Sequence, residues 1–407
     1  MLTYKVVFDN EDGSKIMDFK KFTFNNPTKW LFGAGKLNEL HKQKLPGKKA
    51  LLVISNGKST RENGSLDRTV EQLDMAGVEH VLFAKIMQNP TRDVCMEAAH
   101  VIRQQDCDFI VALGGGAVLD SATAIAAMAT NPGDLWDYVG GTGAGKQIVN
   151  PCLPVVAITT TSGTGSEING WAVISNLETH EKISFGDDDF APVLAIVDPE
   201  LMVSVPATYT AYQGFDAFFH HAEGMICNGR NMLSQAIALD AIKHIYTYLP
   251  IAVHDGTNIE AREHIAYAST TASFTMQLAG CCGEHAMEHA MSAYHPNLAH
   301  GAGLIMIAQE FYKYFIDHGA CDKEFVAMAH VMGRPNATNP SEFLEALDDM
   351  MHACDVEDLH MSDYGFTLDE CSTLAHSTRA MAPGMVGNNP IEMSDEDCAG
   401  VFVRSFK

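Results

Sequence analysis

The sequence is poor in basic residues. It contains 27 Lys and Arg against 51 Asp and Glu, which gives a formal net charge of −24 at pH 7. Nucleic acid and anionic membrane surfaces both bind proteins through clustered positive charge. We therefore expect neither nucleic acid nor a membrane as a partner. The deficit says little about a small-molecule substrate, which responds to the charge of its own site.

The chain also lacks paired cysteines and an apolar leader. Its ten cysteines are scattered and form no Cys-x-x-Cys motif, so we interpret them as reduced and mostly buried thiols. Residues 1–15 contain acidic side chains where a secretion signal has an apolar core. We expect the protein in the cytoplasm, as a homodimer or a higher homo-oligomer.

Uninterrupted apolar runs of membrane-spanning length are absent. The longest candidate, FIVALGGGAVLDSATAIAAMAT from Phe109, is broken by three consecutive glycines and by Asp120. Both features are unfavourable in a lipid-exposed helix. The pattern instead predicts a buried strand, a tight glycine loop and a helix that starts near Val118.

What the sequence does contain is a change of pattern near its middle. Up to about Asp198, predicted strands (KALLVISNG, VEHVLFAKI, DFIVALGGG and PVVAITTT) alternate with helices, which indicates a parallel sheet with helices on both faces. An N-terminal hairpin with an Asp-Gly turn precedes them. After residues 203–206 only helices are predicted. Because 407 residues exceed the usual size of one core, we expect two domains: residues 1–204 (α/β) and 205–407 (all-α).

Three glycine-rich or polar segments follow predicted strands. Glycines 114–116 let backbone amides and a helix N-terminus approach a pyrophosphate, although tight strand-to-helix packing would explain them equally well. Segment 159–169, TTTSGTGSEIN, offers hydroxyl groups to a ribose or phosphate, or forms an ordinary Ser/Thr turn. Segment 55–59, SNGKS, lacks the acid that NAD-binding proteins place on the ribose, which leaves room for a 2′-phosphate near Lys58 and Ser59.

Histidines concentrate in one segment. Residues 283–304 contain four of the eighteen, and His285 and His289 are four apart, so they share a helical face. His295 and His300 flank a proline and are expected in a loop. A metal site, a proton relay and a polar helix surface would each explain this segment. The segment alone does not decide between these three interpretations.

A second polar cluster lies in GFDAFFHHAEGM. Asp216 and His220 are four apart on one helical face, whereas His221 and Glu223 are expected to point elsewhere. The pair alone could simply stabilise its helix. With two histidines of segment 283–304 it supplies one carboxylate and three imidazoles, which suit Zn²⁺ or Fe²⁺ with an open position. Such a site would carry a net positive charge and could stabilise an alkoxide.

Together, these segments resemble those of the iron-containing (group III) alcohol dehydrogenases, from about Phe24 to the C-terminus. The resemblance is carried by TKWLFGAGKLNEL, NPTRDV, LGGGAVLDSATAIA, TTTSGTGSEIN, VDPELMVSVP, GFDAFFHHAEG and HAMEHAMSAYHPNLAHGAGL. It implies a dehydroquinate synthase-like architecture, in which a nicotinamide-dinucleotide-binding α/β domain with a parallel sheet precedes an all-α metal-binding and catalytic domain.

The resemblance also implies site residues. One divalent cation, Fe²⁺ or Zn²⁺, would be held by Asp216, His220, His285 and His300. His289 would lie near the nicotinamide without binding the metal, which makes it the candidate catalytic residue in a proton relay. The candidate contacts to NAD(P)H, from the segments above and from the resemblance, are Gly57, Ser59, Asn89, Gly115, Gly116, Ala117, Asp120, Thr160, Thr161, Thr164, Asn169, Lys182 and Leu201.

Three departures from the family pattern bear on specificity. Ala117 stands where most members carry Ser, so one hydroxyl donor is missing although the backbone amide remains. The interval from His285 to His300 is one residue longer than in many members, in a loop that borders the substrate pocket. The Asp of strictly NAD-using members is missing near Gly57. The choice between NAD and NADP therefore stays open.

The predicted function is hydride transfer between NAD(P)(H) and a small primary alcohol or aldehyde, including diols and hydroxy- or acid-substituted aldehydes. A metal-bound substrate oxygen would lose its proton by way of His289. One alternative is a lyase related to dehydroquinate synthase, but its polyanionic substrate would need Lys and Arg residues in which the helical half is poor. The other is a non-catalytic metal-binding protein, which would not explain the glycine and threonine loops.

Overall fold

A parallel sheet forms in the first half of the chain, in a computed structural model that describes residues 21–406. The predicted N-terminal hairpin, with its Asp-Gly turn, lies outside these residues. The strands are β1 (Lys29–Phe32), β2 (Lys49–Ser55), β3 (Glu79–Ile86), β4 (Phe109–Gly114), β5 (Val155–Thr159), β6 (Trp171–Asn176), β7 (Glu181–Gly186) and β8 (Leu194–Val197). Six of them are parallel, in the order β1-β8-β5-β4-β2-β3, and β6 and β7 form a separate antiparallel pair.

The four predicted strands are confirmed as β2, β3, β4 and β5. Strands β4 and β5 are buried along their whole length, as expected for the centre of a sheet covered on both faces. Strands β1 and β8 were not predicted, because each has only four residues and too short an apolar pattern to stand out. The β6–β7 pair was also missed.

The helices of the first half cover the sheet. They are α1 (Ser59–Glu62), α2 (Ser65–Met75), α3 (Arg92–Gln105) and α4 (Gly116–Thr130). The apolar run from Phe109 divides into β4, a glycine turn and α4, as predicted, although α4 starts two residues before Val118. Since all six strands are parallel, the loops that follow them meet at one edge of the sheet.

Ten further helices make up the second half. They are α5 (Ala207–Ile226), α6 (Met232–His254), α7 (Ile259–Ala279), α8 (Gly283–Tyr294), α9 (His300–Asp317), α10 (Asp322–Val331), α11 (Ser341–Ala353), α12 (Cys371–Met381), α13 (Pro383–Gly387) and α14 (Asp395–Ser405). The predicted change from mixed to purely helical structure is confirmed, since no strand follows β8 among the described residues.

The expectation that His300 lies in a loop is wrong. His295 does lie in the loop after α8, but His300 is the first residue of α9. Proline restricts the residue before it and ends α8, yet Pro296 has no hold on residues four positions further along. The chain therefore restarts a helix after Ala299.

Apolar side chains form a large cluster that crosses the boundary between the halves. It joins one face of the sheet, with Leu51 and Val53, to helical residues as distant as Phe402. The alternating residues Leu52 and Ile54 pack in a second cluster on the opposite face. The secondary structure thus changes after residue 204, while the division into two domains stays a prediction.

The cysteines and the apolar helices bear on two expectations from composition. The ten cysteines are all free thiols, seven of them buried, in agreement with the absence of paired motifs. In the part of the chain that the structure describes, no helix has the length and apolar character needed to cross a membrane.

Helices α5 and α9 approach so closely that only glycine fits at residue 301. A Cβ atom built on Gly301 would lie 2.1 Å from the backbone oxygen of Tyr212. We expect Gly301→Ala to destabilise the fold by about 1–3 kcal/mol, because the obstacle is backbone and cannot rotate away. Thermal unfolding measures this. Gly384→Ala is the control, since a Cβ there meets no atom within 4 Å; equal midpoints for the two variants would contradict the prediction.

Candidate metal centre and cofactor cleft

Helix α5 places Asp216 and His220 on one face, as their spacing predicts. Asp216 Oδ1 and His220 Nδ1 are 3.3 Å apart, and His220 Nδ1 donates a 2.8 Å hydrogen bond to the Asp216 carbonyl. Because Nδ1 carries the proton, the Nε2 lone pair of His220 is left for another partner. His221 turns away, and its ring nitrogens contact Thr275 Oγ1 and the Ala268 carbonyl at 2.9 Å each.

The expectation that Glu223 points elsewhere is wrong. Its carboxylate accepts hydrogen bonds from the His285 backbone at 3.1 Å and from His285 Nδ1 at 2.7 Å. Residues three and seven positions apart also share a helical face, so Glu223 lies on the same side of α5 as His220 and Asp216. It forms a second layer behind the His285 imidazole.

Two histidines from other helices converge on Asp216. His285 in α8 and His300 at the start of α9 each bring Nε2 to 3.5 Å from Asp216 Oδ1. The His220 and His285 rings are 4.1 Å apart between centroids. Three helices thus bring the four predicted ligands together.

The unpaired atoms of this cluster fit a divalent cation. Among the described residues, Asp216 Oδ1 and His285 Nε2 are buried without a hydrogen-bond partner, which costs about 1–3 kcal/mol or more for each such group. Two atoms about 2.1 Å from one tetrahedral metal lie roughly 3.4 Å apart. The observed 3.5 Å separations match that spacing. His220, four residues after Asp216 on α5, is the fourth donor of the predicted set.

Each imidazole of the set has an acceptor behind its Nδ1 atom. Glu223 accepts from His285, Glu288 accepts from His300, and a backbone carbonyl accepts from His220. In metal-binding proteins, outer acceptors of this kind fix the ring orientation of the ligating histidines.

Burial and charge set the protonation of the cluster. Burial raises the pKa of the Asp216 carboxyl, but the facing histidines, with His220 first, outweigh it and hold that pKa at about 2. Burial lowers the pKa of His220 to about 3. Burial also lowers the pKa of His285, but Glu223 and Asp216 outweigh it and raise that pKa to about 10. A metal ion binding here would therefore displace a proton from His285.

His289 lies one helical turn beyond His285 and faces His300, at 5.8 Å between ring centroids. Its Nδ1 atom is buried and has no hydrogen-bond partner in the described structure. Burial, and then the charge of Lys182, lower the pKa of His289 well below its ordinary value, so the ring is neutral. A neutral imidazole with a free nitrogen is able to accept a proton.

The glycine segment 114–116 and the polar segment 159–169 lie side by side at the carboxyl edge of the sheet. The Thr160 amide donates to the Gly114 carbonyl at 3.0 Å. A Cβ on Gly115 would lie 2.7 Å from Thr161 Cγ2, and one on Gly116 would lie 2.5 Å from Thr164 Cγ2. Tight packing therefore accounts for these two glycines. Since Gly115, Gly116 and Ala117 are only half-buried, the first turn of α4 is also accessible to a ligand.

Several other predicted cofactor contacts have side chains engaged within the protein. Asn89 Nδ2 donates to the Pro296 carbonyl at 2.8 Å, and Lys182 Nζ lies 3.1 Å from Glu288 Oε2. Lys182 thus ends beside the metal cluster. Neither contact depends on a cofactor.

The remaining predicted contacts divide between the interior and the surface. Asp120 Oδ2 accepts from the Val173 amide at 2.9 Å, and burial raises the pKa of Asp120 to about 7. Asn169 Nδ2 donates to Ser273 Oγ at 2.8 Å. Leu201 is buried, whereas Gly57, in the loop after β2, and Ser59, the first residue of α1, are exposed.

One loop joins the edge of the sheet to the metal cluster. The segment after β5 brings the Ser162 amide to 3.2 Å from Gln213 Oε1 on α5. A Cβ built on Gly163 would lie 2.8 Å from Asp216 Oδ2. The loop predicted to bind the cofactor therefore touches a predicted metal ligand, as expected for a cleft between the halves.

Sequence reasoning missed two neighbours of the cluster. Glu288 lies three residues after His285 on α8, a spacing that could have revealed it. Cys281 places its sulfur within 4.8 Å of ligand nitrogens of His220 and His285. Its only signal was proximity in sequence to the histidine segment.

Comparison with known proteins accounts for both halves of this arrangement. Residues 27–199 match the sequence model of the iron-containing alcohol dehydrogenases, and residues 210–406 match that of the C-terminal part of the Fe-containing alcohol dehydrogenase family. The chain belongs to this family.

Individual alcohol dehydrogenases also resemble this chain in sequence and in fold. The chain is 31% identical to a 1,3-propanediol dehydrogenase of Klebsiella pneumoniae, over 96% of its own length and 100% of that protein. It is 36% identical to an NAD-dependent methanol dehydrogenase of Bacillus methanolicus, over 68% and 71% of the two chains. A halo-thermophilic archaeal alcohol dehydrogenase from a Red Sea brine pool superposes with a TM-score of 0.91 at 31% identity, covering 95% of this chain and 99% of that one.

These matches confirm the predicted family, fold and class of activity, a metal-dependent alcohol dehydrogenase that uses a nicotinamide cofactor. The lyase alternative and the non-catalytic alternative lose their support. The assignment of individual residues to metal, cofactor and proton transfer stays a prediction.

His220 and His221 offer a matched test of the metal cluster, because both are buried neighbours on α5 and only His220 faces Asp216. We expect His220→Ala to lose most of the bound metal, since it removes one of four donors. His221→Ala should keep its metal and lose only stability, because it breaks hydrogen bonds to Thr275 and Ala268. Elemental analysis with thermal unfolding measures both; equal metal content in the two variants would argue against the ligand set.

Proposed function

We propose that this protein oxidises small uncharged primary alcohols and reduces the matching aldehydes, with NAD(P)(H) and one Fe²⁺ ion held by Asp216, His220, His285 and His300. The observation that carries the proposal is the buried Asp216 Oδ1 atom, which faces two imidazole nitrogens at 3.5 Å and has no partner among the described residues. Imidazole and carboxylate donors suit Fe²⁺ and Zn²⁺ alike. The family to which the chain belongs supports iron.

Each residue of the site has a separate role in the proposed reaction. A bound metal supplies a Lewis acid for the substrate oxygen, and a bound nicotinamide supplies the hydride acceptor. His289, neutral and beside the cluster, accepts the alcohol proton through a hydroxyl group of the substrate or ribose and returns it during aldehyde reduction. Glu223 holds the His285 imidazole in place from behind.

The charge of the site supports an uncharged substrate. The sequence-based expectation of a net positive site counted only one carboxylate. Glu223 and Glu288 add two negative charges to that of Asp216, and Lys182 returns one positive charge. A divalent cation then brings the balance to zero. Lys182 is already paired with Glu288, so it is not available to bind the acid group of an acid-bearing aldehyde.

The end of β2 supports the use of both cofactors. No acidic side chain occurs at residues 55–59, and the exposed Lys58 and Ser59 are available to a 2′-phosphate. A ribose without that phosphate meets no repulsion there either. We therefore propose that NADH and NADPH both serve, with Gly115, Gly116 and Thr160 nearest to the phosphates.

A matched aldehyde panel tests substrate and cofactor together. We expect butanal to be reduced with a kcat/KM at least tenfold above that of 4-oxobutanoate, which has the same chain length and a carboxylate, a difference of about 1.4 kcal/mol. With butanal, NADH and NADPH should give kcat/KM values within about tenfold of each other. Equal rates for the two aldehydes would refute the uncharged substrate, and strict use of one cofactor would refute the dual specificity.

His289→Ala tests the proton relay. We expect kcat to fall by about 10²–10⁴, because general acid–base catalysis contributes that factor. The metal content should be unchanged, since His289 is not in the ligand set. Steady-state kinetics and elemental analysis on one preparation measure both quantities. Loss of metal from this variant would show that His289 is a ligand and that its proposed role is wrong.

Other predictions remain part of the proposal. The ten free thiols support a cytoplasmic location. The homodimer or higher homo-oligomer, and the division into domains at residues 204 and 205, are carried forward as predictions.

A further inference from the structure

Glu288 is a buried acid beside the metal cluster, and three side chains contact its carboxylate. It lies in α8 and has no solvent-exposed surface. Its carboxylate accepts hydrogen bonds from His300 Nδ1 and Ser292 Oγ, and it pairs with Lys182 Nζ at 3.1 Å. Three separate elements, β7, α8 and α9, therefore meet at one carboxylate.

Glu288 has a different effect on each of two partners: it compensates the charge of Lys182 and fixes the ring orientation of His300. A buried ammonium and a buried carboxylate are each unfavourable without the other, so Lys182 and Glu288 compensate each other's charge. His300 is the most exposed of the four candidate ligands, with 25% of its side chain accessible, and it stands in the first turn of its helix. Its ring orientation therefore depends on the hydrogen bond from Nδ1.

A second metal ion beside the first is the competing explanation of this cluster. Ligand atoms of Glu288, His289 and His300 lie within 4.8 Å of one another, as a metal site requires. However, Lys182 Nζ lies 3.1 Å from Glu288 and 3.5 Å from His300 Nδ1. The ammonium group already supplies the cation that such a site would bind.

We propose that Glu288 is a positioning residue that orients His300 toward the metal, and that Lys182 is its buried charge partner and not a contact of the cofactor. The inference rests on the proposed metal site. It adds a residue to that site which touches neither metal nor substrate and acts through His300. It also removes one residue from the predicted cofactor contacts.

Glu288→Gln tests the positioning role, with Glu284→Gln as its matched control. Both acids are fully buried on α8, but Glu284 bonds to the Tyr312 hydroxyl and not to a ligand, and burial already raises its pKa well above the ordinary value. We expect E288Q to bind Co²⁺ or Zn²⁺ about 10–100-fold more weakly, by competition with a chromogenic chelator. E284Q should bind as the wild type does.

Three outcomes separate the proposals. If His300→Ala binds metal as tightly as the wild type, the metal site itself is wrong. If His300→Ala loses metal but E288Q binds normally, only the role of Glu288 is overturned. Should E288Q not fold, Glu288→Asp gives the same test, because it keeps the charge but withdraws it from His300; normal metal affinity in that variant would again overturn the role.

Lys182→Met tests the second part of the inference. If Lys182 serves only Glu288, the fluorescence titration of NADH and of NADPH should give unchanged dissociation constants, while the midpoint of thermal unfolding falls because Glu288 loses its partner. The double variant K182M/E288Q should recover part of that loss, since it removes both charges. A tenfold weaker binding of NADH to K182M would overturn this assignment.

Discussion

Buried negative charge is the constraint on which this structure depends. Asp216, Glu223 and Glu288 are almost completely removed from solvent, and an ionised carboxylate in such surroundings is unfavourable unless charges and hydrogen bonds compensate it. One ammonium, from Lys182, and imidazole N–H groups satisfy part of this demand. The proposed divalent cation would supply the remainder. The arrangement of these acids inside the apolar core is thus the one that a cation site requires.

The packing of the backbone serves the same cluster. Gly301 lets α9 approach the backbone of α5, which carries His300 toward Asp216. Gly163 lets the loop after β5 touch the other side of the same carboxylate. A Cβ at either glycine would push one ligand or one wall of the cleft away. These glycines therefore determine distances at the site, although neither carries a functional group.

The sequence predicts those features that depend on local spacing. The strands around Leu51 and Ile110 follow from short apolar runs, and the shared face of Asp216 and His220 follows from a separation of four residues. The pairing of Lys182 with Glu288 could not be predicted, because 106 residues separate them and only the folded chain brings them together. Between these extremes, Glu223 was mispredicted although its spacing from Asp216 gave the correct face.

Some of the side chains that the resemblance assigns to the cofactor are engaged within the protein. The resemblance assigns Asn169 and Lys182 to the cofactor, but their polar atoms contact protein partners, namely Ser273 and Glu288. At the edge of the sheet the half-buried first turn of α4 presents the backbone N–H groups of Gly116 and Ala117, because the Gly115 carbonyl accepts only from the amides of Val118 and Leu119. A backbone amide donates whichever side chain its residue carries. If the phosphates bind at this turn, as proposed, Ala117 in place of the family's serine leaves the backbone donors intact, because the peptide group supplies them.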